Sequence, residues 1–258
     1  MGKDISVIIV TYNSETYIYD CLDSLFKNND IDDRLEVIIV DNMSVHVNSM
    51  FETIKSRYKN RVTLIKNNKN GGYGQGNNVG INNSSAPIIM IMNPDVRLVA
   101  PIFRRAISFF EKDDTVDMLG MKQMISSSKK GISYDIDPDK NILCQIFLRR
   151  IANWSDIFNE NIMFFSGACF FLRKKSFQKI GMFDENLFLY GEEYDIFCRY
   201  KKYIPNSKKV YVPNMVYLHL IDKRIETIEH IRMMHLSMLY VFNKFGLNVN
   251  DYIRREII

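Results

Sequence analysis

The sequence predicts an α/β protein with a mostly parallel central sheet flanked by helices, and three observations predict it. Continuous β-branched runs recur along the first hundred residues, the mark of strands buried on both faces. Helical periodicity separates the runs, as right-handed crossovers between parallel strands require. Each run stops abruptly on asparagine or aspartate.

"ISVIIV" is the first strand and ends on Thr11-Tyr12-Asn13. The next segment reads as a helix with Asn13 or Ser14 as N-cap and Tyr17, Ile18, Cys21, Leu22, Leu25 and Phe26 on one face. "LEVIIV" ends on Asp41-Asn42, and a second helix follows with Met50, Phe51, Ile54 and Tyr58 inward. The third strand, "VTLI", runs into "KNNKNGGYGQGNN". A short helix to about Asn83 leads to the fourth strand, which ends on Asn93-Pro94-Asp95.

Further on, Ile102, Phe103, Ala106, Ile107 and Phe110 mark a helix, and a strand is expected near Met118 to Met124. The polar stretch Ser126 to Lys140 reads as a mobile loop. "NILCQIFLRR" reads as an amphipathic helix and "MFFSGACFFLRK" as one strand interrupted by Ser166-Gly167. "YGEEYDIFCR" opens a helix, and "MVYLH" is a strand. Closing helices run from Thr227 to Phe245 and on to Ile258.

The 258 residues suffice for one domain with a sizeable core, divided into halves at 1–98 and 99–258. A net charge of +4 gives no ground for a nucleic-acid partner. The four cysteines form no CxxC pair and sit in apolar company, which suits core packing in a reducing compartment. No signal peptide and no apolar run of ~18 residues is visible. A cytoplasmic protein is expected.

Parallel strands point their carboxyl ends one way, and ligands of open α/β sheets bind beyond those ends. Here the ends carry Asn13, Asp41, Asn42, Asn67, Asn70, Asn93 and Asp95. Gly71, Gly72, Gly74 and Gly76 lie among them, where exposed N–H groups at a helix start would favour an anion. No GK[ST] follows, so this is not a P-loop, and the glycines follow the third strand rather than the first. A methyltransferase would use a glycine loop and then an acid ending the next strand, as Asp95 does. Against that reading, polar residues separate "VTLI" from the glycines and Asp41 is left without a role.

Pro94 fixes its own φ and biases Asn93 to an extended form. An amide and an acid held two residues apart suit Mg²⁺ or Mn²⁺, which take few protein oxygens and complete their shell with phosphate. Glu192, Glu193 and Asp195 crowd one helix start, where acids favour the dipole. Crowding also raises a carboxyl pKa toward values useful to a general base.

Taken in order, "VIIVTYN", "VIIVDNMS", "NGGYGQGNNVGI", "MNPDVRL", "SGACFFLRKKSFQKIGMFDENLFLYGEEYDIFCR" and "YLH" resemble the family 2 glycosyltransferases. The resemblance is strongest to the rhamnosyltransferase-like branch that builds bacterial surface polysaccharides, and it runs from about Ile5 to Gly246. It implies a GT-A fold with C-terminal helices. It implies inverting transfer from a nucleotide-diphospho-sugar, dTDP-rhamnose or a UDP-sugar, to a glycan or polyprenyl-diphosphate-linked acceptor.

Carried residue by residue, Thr11, Tyr12, Asn13 and Asp41 hold the nucleoside, and Gly72, Gly74 and Asn77 pack on the nucleotide. The DxD metal motif falls on Asn93 and Asp95, departing from strict DxD at Asn93, with Mn²⁺ or Mg²⁺ as cofactor. Glu193 takes the place of the base, Glu192 and Asp195 are its companions, and Glu192 is the fallback. His219 completes the metal shell or touches the diphosphate. The basic residues Arg173, Lys174, Lys175, Lys201, Lys202, Lys208 and Lys209 would face anionic lipid or a lipid-diphosphate acceptor at the inner side of the cell membrane. A catalytically silent sugar-binding module is the other alternative.

Overall fold

The computed structural model describes residues 2–139, 148, 151–152, 154–220 and 227–249. The first half follows the expected alternation: β1 (Ile5–Thr11), α1 (Glu15–Lys27), β2 (Leu35–Asp41), α2 (Val47–Tyr58), β3 (Thr63–Lys66), α3 (Gly72–Asn82) and β4 (Ile88–Met92). Then come β5 (Val96–Leu98), α4 (Phe103–Lys112), β6 (Val116–Met124), β7 (Tyr134–Ile136), β8 (Met163–Phe165) and β9 (Cys169–Arg173). The chain continues through α5 (Lys174–Lys179), α6 (Glu192–Tyr203), β10 (Lys208–His219) and α7 (Ile228–Phe245).

Eight strands form one sheet in the order β3-β2-β1-β4-β9-β6-β10-β5, and β7 and β8 form a small second sheet. β3, β2, β1 and β4 are mutually parallel, and β10 runs parallel to β6. β9 lies antiparallel between β4 and β6, and β5 pairs antiparallel with β10.

Both faces of the sheet are covered, as continuous apolar strands require. Ile5, Val7 and Ile9 of β1 face α1, α2 and α4, while Ile8 and Val10 face α3, α5 and α6. α3 lies very close to β1: a Cβ on Gly80 would stand 2.4 Å from Ile8 Cγ2. A third cluster, around Leu187, Tyr194, Phe197, Val241 and Phe242, joins α6 to α7.

Three expectations change. The stretch read as a mobile loop contains β7, whose Tyr134 and Ile136 are buried, so local polarity concealed a strand. "MFFSGACFFLRK" is two strands in two sheets, with Ser166-Gly167-Ala168 crossing between them. The basic clusters are not one free face. Arg173 donates to the Val116, Phe110 and Asp113 carbonyls, Lys174 to the Ser84 carbonyl, and Lys208 pairs with Asp113. The helix expected at "NILCQIFLRR", Leu148 apart, and the end of the chain past 249 lie outside the described residues.

Candidate active site

The carboxyl ends of β1 and β2 are stapled together. Thr11 Oγ1 donates to Asp41 Oδ2 at 2.9 Å, and the same oxygen accepts from Ser44 Oγ at 2.5 Å. The Ser44 N–H donates to Asp41 Oδ1 at 2.8 Å. Asn13, at φ +49°, donates its N–H to Ser44 Oγ and accepts from the Val45 N–H. Asp41 is buried and its loop is held by these bonds, and Ser44 is a residue that sequence reasoning missed. Tyr12, Met43 and Val45 stand 54, 57 and 78% exposed around it, an apolar rim above a buried carboxylate.

The glycine segment departs from expectation. The helix already begins at Gly72, so Gly74 and Gly76 lie within it rather than in a loop before it. Gly72 has φ +86°, and a Cβ there would stand 2.0 Å from the Phe188 carbonyl oxygen. A Cβ on Gly74 would stand 2.9 Å from Phe183 Cβ. Protein packing thus already requires glycine at both positions. Asn42 and Asn67 are also spent internally: Asn42 donates to the Gly72 carbonyl, and Asn67 donates to Asn42 and Gln75. Asn77 is buried and donates to the Tyr73 carbonyl, and its Oδ1 has no hydrogen-bond partner among the described residues. Asn78, also unforeseen, clamps both the N–H and the carbonyl of Phe183.

The end of β4 is tied to distant segments. The Asn93 N–H donates to the Ala168 carbonyl at 2.9 Å. Asp95 is buried, and the antiparallel register His219↔Val96 brings His219 to it. His219 Nε2 lies 3.3 Å from Asp95 Oδ1, and His219 Nδ1 lies 3.3 Å from Gln123 Oε1. Among the described residues no group of three or more His, Cys, Asp or Glu side chains could enclose a metal ion. The converging pair fits a hard cation held by few protein atoms and completed by phosphate oxygens. Gln123 was missed, because one glutamine in a strand carries no local signal.

The acids at the start of α6 divide into two kinds. Gly191, at φ +83°, turns the chain into the helix. Glu192 is 2% exposed, and burial followed by the neighbouring Glu193 pushes its carboxyl well above the usual range. Burial also raises Glu193, although its carboxylate accepts from the Gly167 N–H. A Cβ on Gly167 would stand 1.8 Å from Glu193 Oε1. The Tyr73 hydroxyl donates to the Gly167 carbonyl at 2.6 Å, and burial, then Glu193 and Glu192, push that hydroxyl well above its ordinary pKa.

Asp195 is differently engaged. It is fully buried in an ion pair with Arg199, at 2.7 Å to Nε and 2.6 Å to Nη2, and with Lys244 at 2.5 Å. An arginine four residues on shares its helix face, so Asp195 ties α6 to α7, while its charge also bears on Glu192.

The Rossmann-like mixed sheet, covered by helices on both faces, is the GT-A fold of glycosyltransferases. The chain belongs to glycosyl transferase family 2, whose profile covers residues 6–181. Family membership removes the methyltransferase reading. The glycosyltransferase GlyG of Streptococcus pneumoniae is 21% identical over 85% of this chain and 71% of its own length. The poly(ribitol-phosphate) beta-glucosyltransferase of Bacillus spizizenii is 26% identical over 54% of this chain, which spans only 22% of that protein.

Among solved structures, a mannosyltransferase of Pyrobaculum calidifontis in complex with GDP-Man and Mn²⁺ has a TM-score of 0.66 at 16% identity, covering 95% of this chain and 68% of its own. Staphylococcus aureus TarS (1–349) with UDP has a TM-score of 0.60 at 19% identity, covering 92% and 65%. No helix among the described residues is long and apolar enough to cross a membrane.

Proposed function

We propose that the chain is an inverting, metal-dependent glycosyltransferase. It moves a hexose from a nucleotide-diphospho-sugar to a glycan or polyprenyl-diphosphate-linked acceptor in surface-polysaccharide synthesis. The observation that carries this reading is the crossing at 166–168. Ala168 accepts from the Asn93 N–H just past β4, and the Gly167 N–H donates to Glu193, so one short segment links the two groups of candidate residues. Relatives named for teichoic-acid and glycan synthesis support the acceptor class. dTDP-rhamnose or a UDP-sugar is the donor in this reading, on the strength of the branch motifs.

Tyr12 and the exposed rim cover the nucleobase, with Thr11, Asn13 and Asp41 fixing the nucleoside beneath it. Asn93 and Asn77 line the nucleotide, and Asn77 brings a buried carbonyl oxygen still open to a donor. Gly72 and Gly74 act indirectly, by setting how closely α3 approaches the 183–188 segment. Asp95 and His219 would hold Mn²⁺ or Mg²⁺. When bound, that ion supplies Lewis-acid stabilisation of the departing diphosphate. Glu193 takes the proton of the acceptor hydroxyl as that oxygen attacks the anomeric carbon, and Gly167 keeps the carboxylate aimed. Glu192 lies buried beside it with its carboxyl raised by burial and by Glu193, and it is the fallback for the base. The exposed Ile228, Ile231 and Leu236 of α7 suit a peripheral contact at the cytoplasmic membrane face, which flotation with anionic liposomes tests.

Calorimetric titration with UDP, dTDP and GDP, each with and without Mn²⁺, tests the donor site. Metal-dependent binding of one nucleotide is expected. Glycan binding without any nucleotide binding would overturn the reading in favour of a silent sugar-binding module.

A further inference from the structure

We propose that Gln123 is a positioning residue that holds His219 in the Nδ1–H tautomer, so that the Nε2 lone pair points at Asp95. Gln123 sits in β6, buried, and its Oε1 is the meeting point of three groups. The Tyr217 hydroxyl lies 2.9 Å away, His219 Nδ1 3.3 Å and Ser166 Oγ 3.5 Å. Tyr217 and His219 are two apart on β10, so their side chains project to the same face of the sheet.

The orientation of the amide decides the chemistry. An amide oxygen can only accept, so an imidazole nitrogen facing it must carry the proton. The other nitrogen is then bare, and it lies 3.3 Å from a carboxylate oxygen. Two acceptors brought this close present both lone pairs to a cation between or beside them. A flipped amide would give the opposite result: its NH₂ would donate to Nδ1, and Nε2–H would donate to Asp95, closing the pair without a cation.

The structure fixes where this side chain sits and places its oxygen toward the histidine. The Gln123 N–H donates to Ser133 Oγ, and the Gln123 carbonyl accepts from the Gly131 N–H, which fixes the backbone. The space at Gly131 is filled by the Gln123 side chain, since a Cβ there would stand 2.6 Å from Gln123 Nε2. The amide nitrogen lies on the Gly131 side, and the oxygen faces Tyr217 and His219. Partners of this kind fix the tautomer of a ligating histidine, and their loss costs metal affinity.

This inference rests on reading Asp95 and His219 as metal ligands, and the experiment separates the two. Long-range ¹H–¹⁵N correlation spectra of the metal-free protein, labelled at histidine and recorded well above the ordinary histidine pKa, report the tautomer directly. The His219 signal is assigned by its loss in His219→Asn. The expected result is the Nδ1–H pattern, and an Nε2–H pattern in the unsubstituted protein overturns the proposal.

Mn²⁺ affinity is then measured by calorimetry, alone and with UDP or GDP. Gln123→Leu should lower it about 10- to 100-fold. Gln123→Glu keeps an acceptor oxygen in place and should stay within a few-fold of the starting protein. Equal Mn²⁺ affinity in Gln123→Leu also overturns the proposal. An Nδ1–H signal in a protein that binds no Mn²⁺ upholds the tautomer assignment and overturns the metal reading.

Discussion

Gly167 and Glu193 compete for one position: a Cβ on the glycine would stand 1.8 Å from Oε1 of the glutamate. The two are 26 residues apart in sequence, and the carboxylate rests where a side chain would otherwise be. Gly167→Ala should therefore displace Glu193 without unfolding the chain. Turnover is expected to fall by about 10²–10⁴, the range of a lost general base, with nucleotide binding unchanged. Glu193→Gln should give the same split. Steady-state kinetics beside nucleotide calorimetry check both, and a fully active Gly167→Ala would refute the assignment.

Activity should depend on pH through the same carboxyl. Burial raises the Glu193 pKa, so the base form is lost earlier on acidification than an ordinary glutamate would be. The acid limb of the kcat profile should lie above the usual carboxylate range of about 4.3. A limb at or below that value would mean that another group is titrating.

Glu192 affects stability with a definite sign. Its folded pKa is raised, so the neutral form contributes stability that is complete below the unfolded pKa and is lost as pH rises through the folded one. Thermal melts of the unsubstituted protein should fall as pH increases from the carboxylate range upward. Glu192→Gln should flatten that slope. Parallel slopes would show that Glu192 is not buried as described.

Lys244 ties α7 to two acids at once, Asp184 at 2.6 Å and Asp195 at 2.5 Å. Burial pushes Asp184 up, but hydrogen bonds from Lys244, the Asn186 N–H and Tyr240 outweigh it and hold the carboxyl at about 2. That contribution is present above the unfolded pKa and lost as pH falls toward about 2. Lys244→Met should cost about 1.5–3 kcal/mol for each charge-assisted bond removed. It should also weaken the dependence of stability on pH in the acid range, as denaturant melts at two pH values would show.

Gly80→Ala tests the packing of α3 on β1. The added methyl would meet Ile8 Cγ2 at 2.4 Å, where neither the helix nor a central strand can retreat. A loss of about 1–3 kcal/mol is expected from overpacking. Chemical denaturation measures it, and an unchanged midpoint would mean that α3 lies further from the sheet.

Much of the candidate site was legible where the pattern is local. Asp41, Asp95 and the pair Glu192 and Glu193 stand at strand ends or a helix start, and each announces itself by breaking an apolar run. Asn42, Asn67, Gly72 and Gly74 carry the same local signal yet satisfy other parts of the protein. Whether a polar residue faces a ligand or its own chain is decided by what folds against it, and a one-dimensional pattern holds no record of that.

The sequence by itself determined that the strands of the first half run parallel, because continuous β-branched runs separated by amphipathic helices must be covered on both faces and joined by crossovers. It also determined which end of that sheet carries polar chemistry. Only the tertiary structure decided that β9 enters antiparallel between β4 and β6, and that Asp195 pairs with Arg199 and Lys244. It alone seats Glu193 on Gly167 and sets Gln123 behind His219. The Gln123–His219 contact spans 96 positions of chain. Such pairings depend on how separate elements come together in three dimensions, and no periodicity within either segment specifies its partner.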